Sequence, residues 1–102
     1  MVDILKDMTI ELENPNRKVI KAFLEDEFFY DLRVYLEEGD YVLAKDAIKG
    51  LYVLASKLAL FELYGHLLDL YEVLEYEDYI NVMSQYEALI KEYERLLEVY
   101  HD

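Results

Sequence analysis

The segment from Asp31 to Leu58 is answered 38 positions later by a second segment with the same layout, and nothing else in the chain restricts its fold as strongly. Asp31, Leu32, Leu36, Glu37, Asp40, Tyr41, Leu51 and Leu58 recur as Asp69, Leu70, Leu74, Glu75, Asp78, Tyr79, Leu89 and Leu96. Val42 is answered by Ile80 and Gly50 by Ala88. The punctuation Glu-x-x-Asp-Tyr falls at the same place in both copies, as Glu37-x-x-Asp40-Tyr41 and Glu75-x-x-Asp78-Tyr79. Self-similarity at a spacing of about 20–50 residues marks a repeat architecture in which each copy is one supersecondary unit. The spacing therefore predicts an all-α fold of two tandem helix–turn–helix hairpins related by an internal repeat and preceded by a short N-terminal arm.

A chain of 102 residues with 55% hydrophobic content holds one domain with an ample core. The expected layout is an arm over residues 1–14, a first hairpin over 15–60 and a second over 61–102. Zero cysteines remove disulfides, thiolate metal sites and a cysteine nucleophile together, and two histidines leave little imidazole chemistry. The richest apolar stretch, Ala47 to Phe61, is interrupted by Lys49 and Lys57, and the first residues carry Asp3 and Asp7. Neither a membrane span nor a signal peptide is expected, and the chain is read as an intracellular, cytoplasmic protein.

Along the chain, Val2, Leu5 and Met8 have helical spacing, whereas Thr9 to Glu13 alternates as an extended arm would. Asn14-Pro15 reads as a helix start. Ile20, Phe23, Leu24, Phe28, Leu32 and Tyr35 then form one stripe on a long helix, which Gly39 should end in the left-handed conformation. Asp40 caps the next helix, with the stripe Leu43, Ala47, Leu51, Leu54, Leu58 and Phe61. Ala44, Ala47, Ala55 and Ala59 allow close approach of a neighbour. A break is expected near Leu60–Gly65, the alternative being one kinked rod from Tyr41 to Leu74. Leu63, Leu67, Leu70 and Leu74 make the third stripe, and Asp78 should cap the last helix. Its stripe is Val82, Tyr86, Leu89, Tyr93, Leu96 and Tyr100, with Met83, Ile90 and Leu97 beside it, so that helix is wide-faced and largely buried or bound.

Tyr35-x-x-x-Gly39-Asp40-Tyr41-x-x-Ala44, followed by Ile48 and Leu51, resembles the turn and second helix of a tetratricopeptide repeat. Tyr79, Val82, Tyr86 and Leu89 keep the pattern in the second copy, while Leu32, Leu70 and Glu77 depart from it and no proline closes either hairpin. The resemblance implies capture of a peptide in a groove lined by the first helix of each hairpin. In this chain that wall comprises Phe29, Arg33, Leu36 and Glu37 beside Tyr64, Leu67, Tyr71 and Leu74. Length, duplicated layout and composition are also similar to those of small proteins of filamentous viruses infecting hyperthermophilic archaea, which would place the chain in a host cytoplasm.

The net charge of −13 disfavours nucleic acid unless the basic residues share one face. Arg17, Lys18, Lys21, Arg33, Lys45, Lys49 and Lys57 are concentrated in the first half, yet acids interleave with them. Three chemical readings compete with the scaffold. Arg95-x5-His101 is similar to the Arg/His spacing of HEPN ribonucleases, which implies RNA cleavage by a pair facing across a dimer interface; a helix-end arginine and a terminal histidine account for the same residues. Glu62, His66 and Asp69 share a helical face but offer too few ligands for a metal. Asp46-Ala-Ile-Lys-Gly50 is similar to the His-x-x-Lys-Gly of phosphotransfer domains, with aspartate at the acceptor position. The favoured reading is therefore a protein-interaction module with no catalytic residues, cofactor or metal, either a monomer or a weak homodimer, with a purely structural homodimer as a further alternative. Its partner is a basic, apolar-anchored peptide rather than nucleic acid or a membrane.

Overall fold

The computed structural model describes residues 17–100, in which every regular element is an α-helix. The expectations for residues 1–14, for the helix start at Asn14-Pro15 and for His101 lie outside the described residues. The helices are α1 (Arg17–Leu24), α2 (Glu27–Glu38), α3 (Tyr41–Lys57), α4 (Phe61–Glu75) and α5 (Val82–Val99). From α2 onward each helix packs against the next, giving the hairpins α2–α3 and α4–α5, and α5 returns to lie against α1.

All three interhelical turns after α2 close in the same way. Gly39, Ala59 and Glu77 adopt left-handed φ values of 74°, 60° and 57°. The N–H of the next residue then reaches back five positions, from Asp40 to the Tyr35 carbonyl at 2.8 Å, from Leu60 to Ala55 at 2.9 Å and from Asp78 to Val73 at 2.8 Å. This is the Schellman closure, which satisfies carbonyls that a helix end leaves without partners. Gly39 and Glu77 occupy equivalent positions of the two copies, so the duplicated turn is kept although its glycine is not. A residue with a Cβ there costs about 1–2 kcal/mol against glycine, and the closing bonds offset it.

Two expectations about element boundaries change. The long first helix is broken at Glu25-Asp26, where the Asp26 carboxylate accepts the Phe28 N–H at 3.0 Å and starts α2 afresh. The break shifts the helical phase, so Phe29 is buried and Phe28 is exposed, the reverse of the single stripe. Phe29 gains an edge-on contact with Phe23, at 5.4 Å between centroids, and a tilted one with Tyr93 at 4.5 Å. The second boundary separates α3 from α4: the break is at Leu58–Leu60, around left-handed Ala59, and Gly65 lies inside α4. The kinked rod does not form.

The copies also diverge at their second helices. Asp40 caps α3, its carboxylate accepting the Leu43 N–H at 3.2 Å. Asp78 does not cap α5: its carboxylate takes the side-chain amide of Asn81 at 2.7 Å, and α5 begins only at Val82. Asn81 stands where the first copy has Leu43, so a side-chain donor has replaced the backbone donor and delayed the helix by three residues.

The core confirms some stripes and rotates others. Leu63, Leu67, Leu70 and Leu74 of α4 are all buried. On α3 the buried face is Ala44, Ala47, Ile48, Leu51 and Ala55, while Leu43 and Leu54, expected inside, are exposed. A helix held between two neighbours, here α2 and α4, packs closely through small residues, which places the alanine face inward. Tyr52, Tyr64 and Tyr71 sit half-buried at the α3–α4 seam, Tyr52 meeting the other two edge-on at 6.0 and 6.1 Å.

The turns generate opposite expectations for matched substitutions. Gly39→Ala should destabilise by about 1 kcal/mol through φ alone, since a Cβ there meets nothing within 4 Å. Glu77→Gly should stabilise by a similar amount, and urea midpoints for both read the result; a lower midpoint for Glu77→Gly would contradict the left-handed turn. Asp40→Ala should lose about 1 kcal/mol as a lost helix cap, and Asp78→Ala should lose less, because only the Asn81 side chain is released.

Candidate functional site

The eight residues expected to form one groove wall do not share a surface. Phe29, Leu36, Leu67 and Leu74 are buried in the core, which corrects their assignment as an open wall; the new phase of α2 turns Phe29 inward, and the inward stripe of α4 takes both leucines. Tyr64 and Tyr71 belong to the seam with Tyr52, and the Lys49 ammonium lies 5.6 Å above the Tyr71 ring. Arg33 and Glu37 remain exposed and pair with each other at 3.1 Å, one turn apart on α2.

That pair forms one side of a cleft of about 500 Å³ between α2 and α5. The opposite side is the second stripe of α5: Met83, Tyr86 and Ile90, with Glu87, Lys91 and Glu94 at the edge. A helix needs only one face to join the core, and α5 uses Val82, Leu89 and Leu96 for that purpose. The stripe beside it is left to line the cleft, with Met83 52% exposed and Tyr86 and Ile90 partly so. Burial raises the Tyr86 phenol above its ordinary pKa, while the nearby Arg33 guanidinium pulls it down, so the phenol is neutral at physiological pH and can donate a hydrogen bond.

Where α2 begins, the two walls are tied together. Phe29 and Tyr93 are in ring contact, and the Tyr93 hydroxyl donates to the Leu24 carbonyl at the end of α1. This tie joins the last helix to the first described ones and sets the spacing of α2 and α5. The cleft has an apolar floor and an edge with three carboxylates and two cations, one of which, Arg33, is already paired with Glu37. Such a site provides apolar contact and a few polar anchors. Met83, Tyr86, Ile90, Lys91 and Glu94 were missed as site residues; their signal was the double stripe of α5, too wide for a helix with one buried face.

Arg95 makes two hydrogen bonds of 2.7 Å to buried Glu92 on its own helix and approaches Glu62 at 3.6 Å. Of the metal candidates, Glu62 thus faces Arg95, His66 is half-buried on α4 and Asp69 is exposed; among the described residues no group of three or more such side chains is placed to hold a metal. Among the cations of the first half, Arg17 donates to the Val99 carbonyl and lies over Tyr100, and Lys45 pairs with Glu75. Asp46 and Gly50 lie on the exposed side of α3. Among the described residues, no helix is long and apolar enough to cross a membrane.

Glu92 yields a pH prediction. Its hydrogen bonds to Arg95 hold its pKa below the ordinary carboxylate value, outweighing the opposing effect of burial. A carboxylate with a depressed folded pKa stabilises above its unfolded pKa of about 4.3, and that contribution is lost as pH falls through the folded pKa. Stability measured from pH 7 downward should therefore fall less steeply for Glu92→Gln than for the wild type below about pH 4.3. Equal acid slopes would contradict the assignment. Arg95→Ala, which leaves the Glu92 carboxylate buried without its guanidinium, should lower the urea midpoint at neutral pH.

The chain matches no protein-family model, no curated protein and no solved structure, which leaves its own residues and geometry as the grounds for its function.

Proposed function

We propose that this chain is a protein-interaction module that captures a short amphipathic helix in the cleft between α2 and α5. The carrying observation is the second apolar stripe of α5. Met83, Tyr86 and Ile90 recur at helical spacing along the cleft, Met83 exposed, Tyr86 half-buried against the core and Ile90 partly exposed. Apolar groups at such spacing along an open cleft match the anchor pattern of an amphipathic helix laid in a groove. The tetratricopeptide-like reading supplies the same class of function, with the groove moved from the first helices of the two hairpins to α2 and α5.

Charge specifies the ligand further. A protein of net charge −13 attracts segments with Lys or Arg around their apolar anchors and repels acidic ones. Glu87 and Glu94 lie at the cleft edge, where they are placed to meet such cations. A cleft of this size buries limited area, which suits affinity in the micromolar range.

A Leu/Lys amphipathic helix of about 15 residues, titrated into the isotope-labelled protein and read at the cleft amides of Ile90 and Lys91, tests this reading. Wild type should bind it with micromolar affinity and Tyr86→Ala should weaken binding by about 2 kcal/mol, as for a central aromatic anchor. Tyr71→Ala should instead lower thermal stability and leave affinity nearly unchanged. No binding, or binding indifferent to Tyr86, contradicts the assignment.

A further inference from the structure

The duplication brings two copies of one dipeptide together at one end of the molecule. Tyr41-Val42 and Tyr79-Ile80 are equivalent in the repeat, and the two tyrosine rings stack face to face with centroids 4.5 Å apart and planes at 13°. The stack locks the α2–α3 turn beside the α4–α5 loop. Beside it, Val42 is 68% exposed, Tyr76 81% and Ile80 92%. Surface loops ordinarily present polar residues, and an isoleucine with almost its whole surface in water contributes little to folding. Val82, two residues on, does join the core, so the loop is not short of an apolar anchor of its own. The Asp78–Asn81 bond holds the loop in the shape that presents Ile80.

The charges around this apolar end have one sign. Glu38, Asp40, Glu77 and Asp78 surround it, and none has an ion-pair partner among the described residues. The cations of the adjacent helices, Arg33 and Lys45, are paired with Glu37 and Glu75. A second copy seated here would bring the same carboxylates together across a two-fold interface, where like charges oppose association. Anionic lipid and nucleic acid are disfavoured by the same field. The complementary surface is apolar at its centre and basic at its edge.

We infer that the paired-turn end carrying Val42, Tyr76 and Ile80 is a second docking surface, specific for a protein partner whose apolar patch is edged by Lys and Arg. It stands independently of the cleft reading. The two surfaces lie on different sets of amides, and the chain so equipped acts as an adaptor with two contact faces.

Amide chemical-shift titration of the isotope-labelled protein tests this, with a Leu/Lys amphipathic helical peptide and its Leu/Glu counterpart as probes. The Leu/Lys peptide should shift the amides of Val42, Tyr76 and Ile80, and the Leu/Glu peptide should leave them unmoved. Ile80→Ser should weaken the response at Val42 and Tyr76 at least fivefold while the cleft amides of Ile90 and Lys91 respond as before, and Tyr86→Ala should do the converse. Reversing the rim with Glu38→Lys and Glu77→Lys should exchange the preference between the peptides. The inference is overturned by unmoved turn-end amides, by equal response to both peptides, by indifference to Ile80→Ser, or by turn-end shifts that follow protein concentration with no peptide present, which would mark a second copy as the occupant. Loss of the cleft response alone would overturn the cleft reading and leave this one standing.

Discussion

The six-residue closure at the helix ends is the constraint on which the rest of this structure depends. Each of Gly39, Ala59 and Glu77 turns left-handed, and each lets the following N–H reach a carbonyl five residues back. A reversal that tight leaves successive helices no choice but to lie side by side, so a leucine or alanine stripe on one meets the stripe on the next. Only glycine enters this conformation without cost. Two of the three positions use other residues, which shows that the bonds formed and the apolar area buried outweigh a penalty of about 1–2 kcal/mol at each.

Those turns set the order of the helices, but the contact of α1 and α2 with α5 sets the site. Phe29 is drawn inward by the break at Asp26, and Tyr93 meets its ring while bonding the Leu24 carbonyl. With α5 held there, the groove opens between α2 and α5, and Leu36, Leu67 and Leu74 go to the core. Exposed apolar side chains remain on α5 and on the loop that precedes it, as they do on α3. On the proposed reading, α5 and that loop in this acidic protein take partners that combine apolar anchors with positive charge.

Much of the fold is legible in the sequence because it is written redundantly. The 38-residue offset, the Glu-x-x-Asp-Tyr punctuation and the leucines of α4 all point to helical hairpins, and Gly39 marks its turn by itself. The break at Asp26 is not legible, because Glu25-Asp26-Glu27 reads as the polar face of a continuing helix; only the burial of Phe29 against Phe23 and Tyr93 decides otherwise. Ala59 and Glu77 give no sign of a left-handed turn, since the residue type opposes the conformation that tertiary packing imposes. The delayed start of α5 is equally hidden, because it depends on the Asn81 side chain taking the Asp78 carboxylate. The site is the least legible part. Two of its residues, Arg33 and Glu37, follow from the hairpin layout, whereas Met83, Tyr86 and Ile90 show only as a stripe beside the core stripe. Which neighbour that stripe faces is a property of the packed helices.

The pairing of α2 with α5 is the claim from which the cleft follows, and ring-to-ring nuclear Overhauser contacts test it most directly. With centroids 4.5 Å apart, the Phe29 and Tyr93 rings should give strong mutual cross-peaks, accompanied by cross-peaks from Phe29 to Phe23. Cross-peaks from Phe29 to the rings of Tyr64 or Tyr71, with none to Tyr93, would place α2 against α4 and contradict the account.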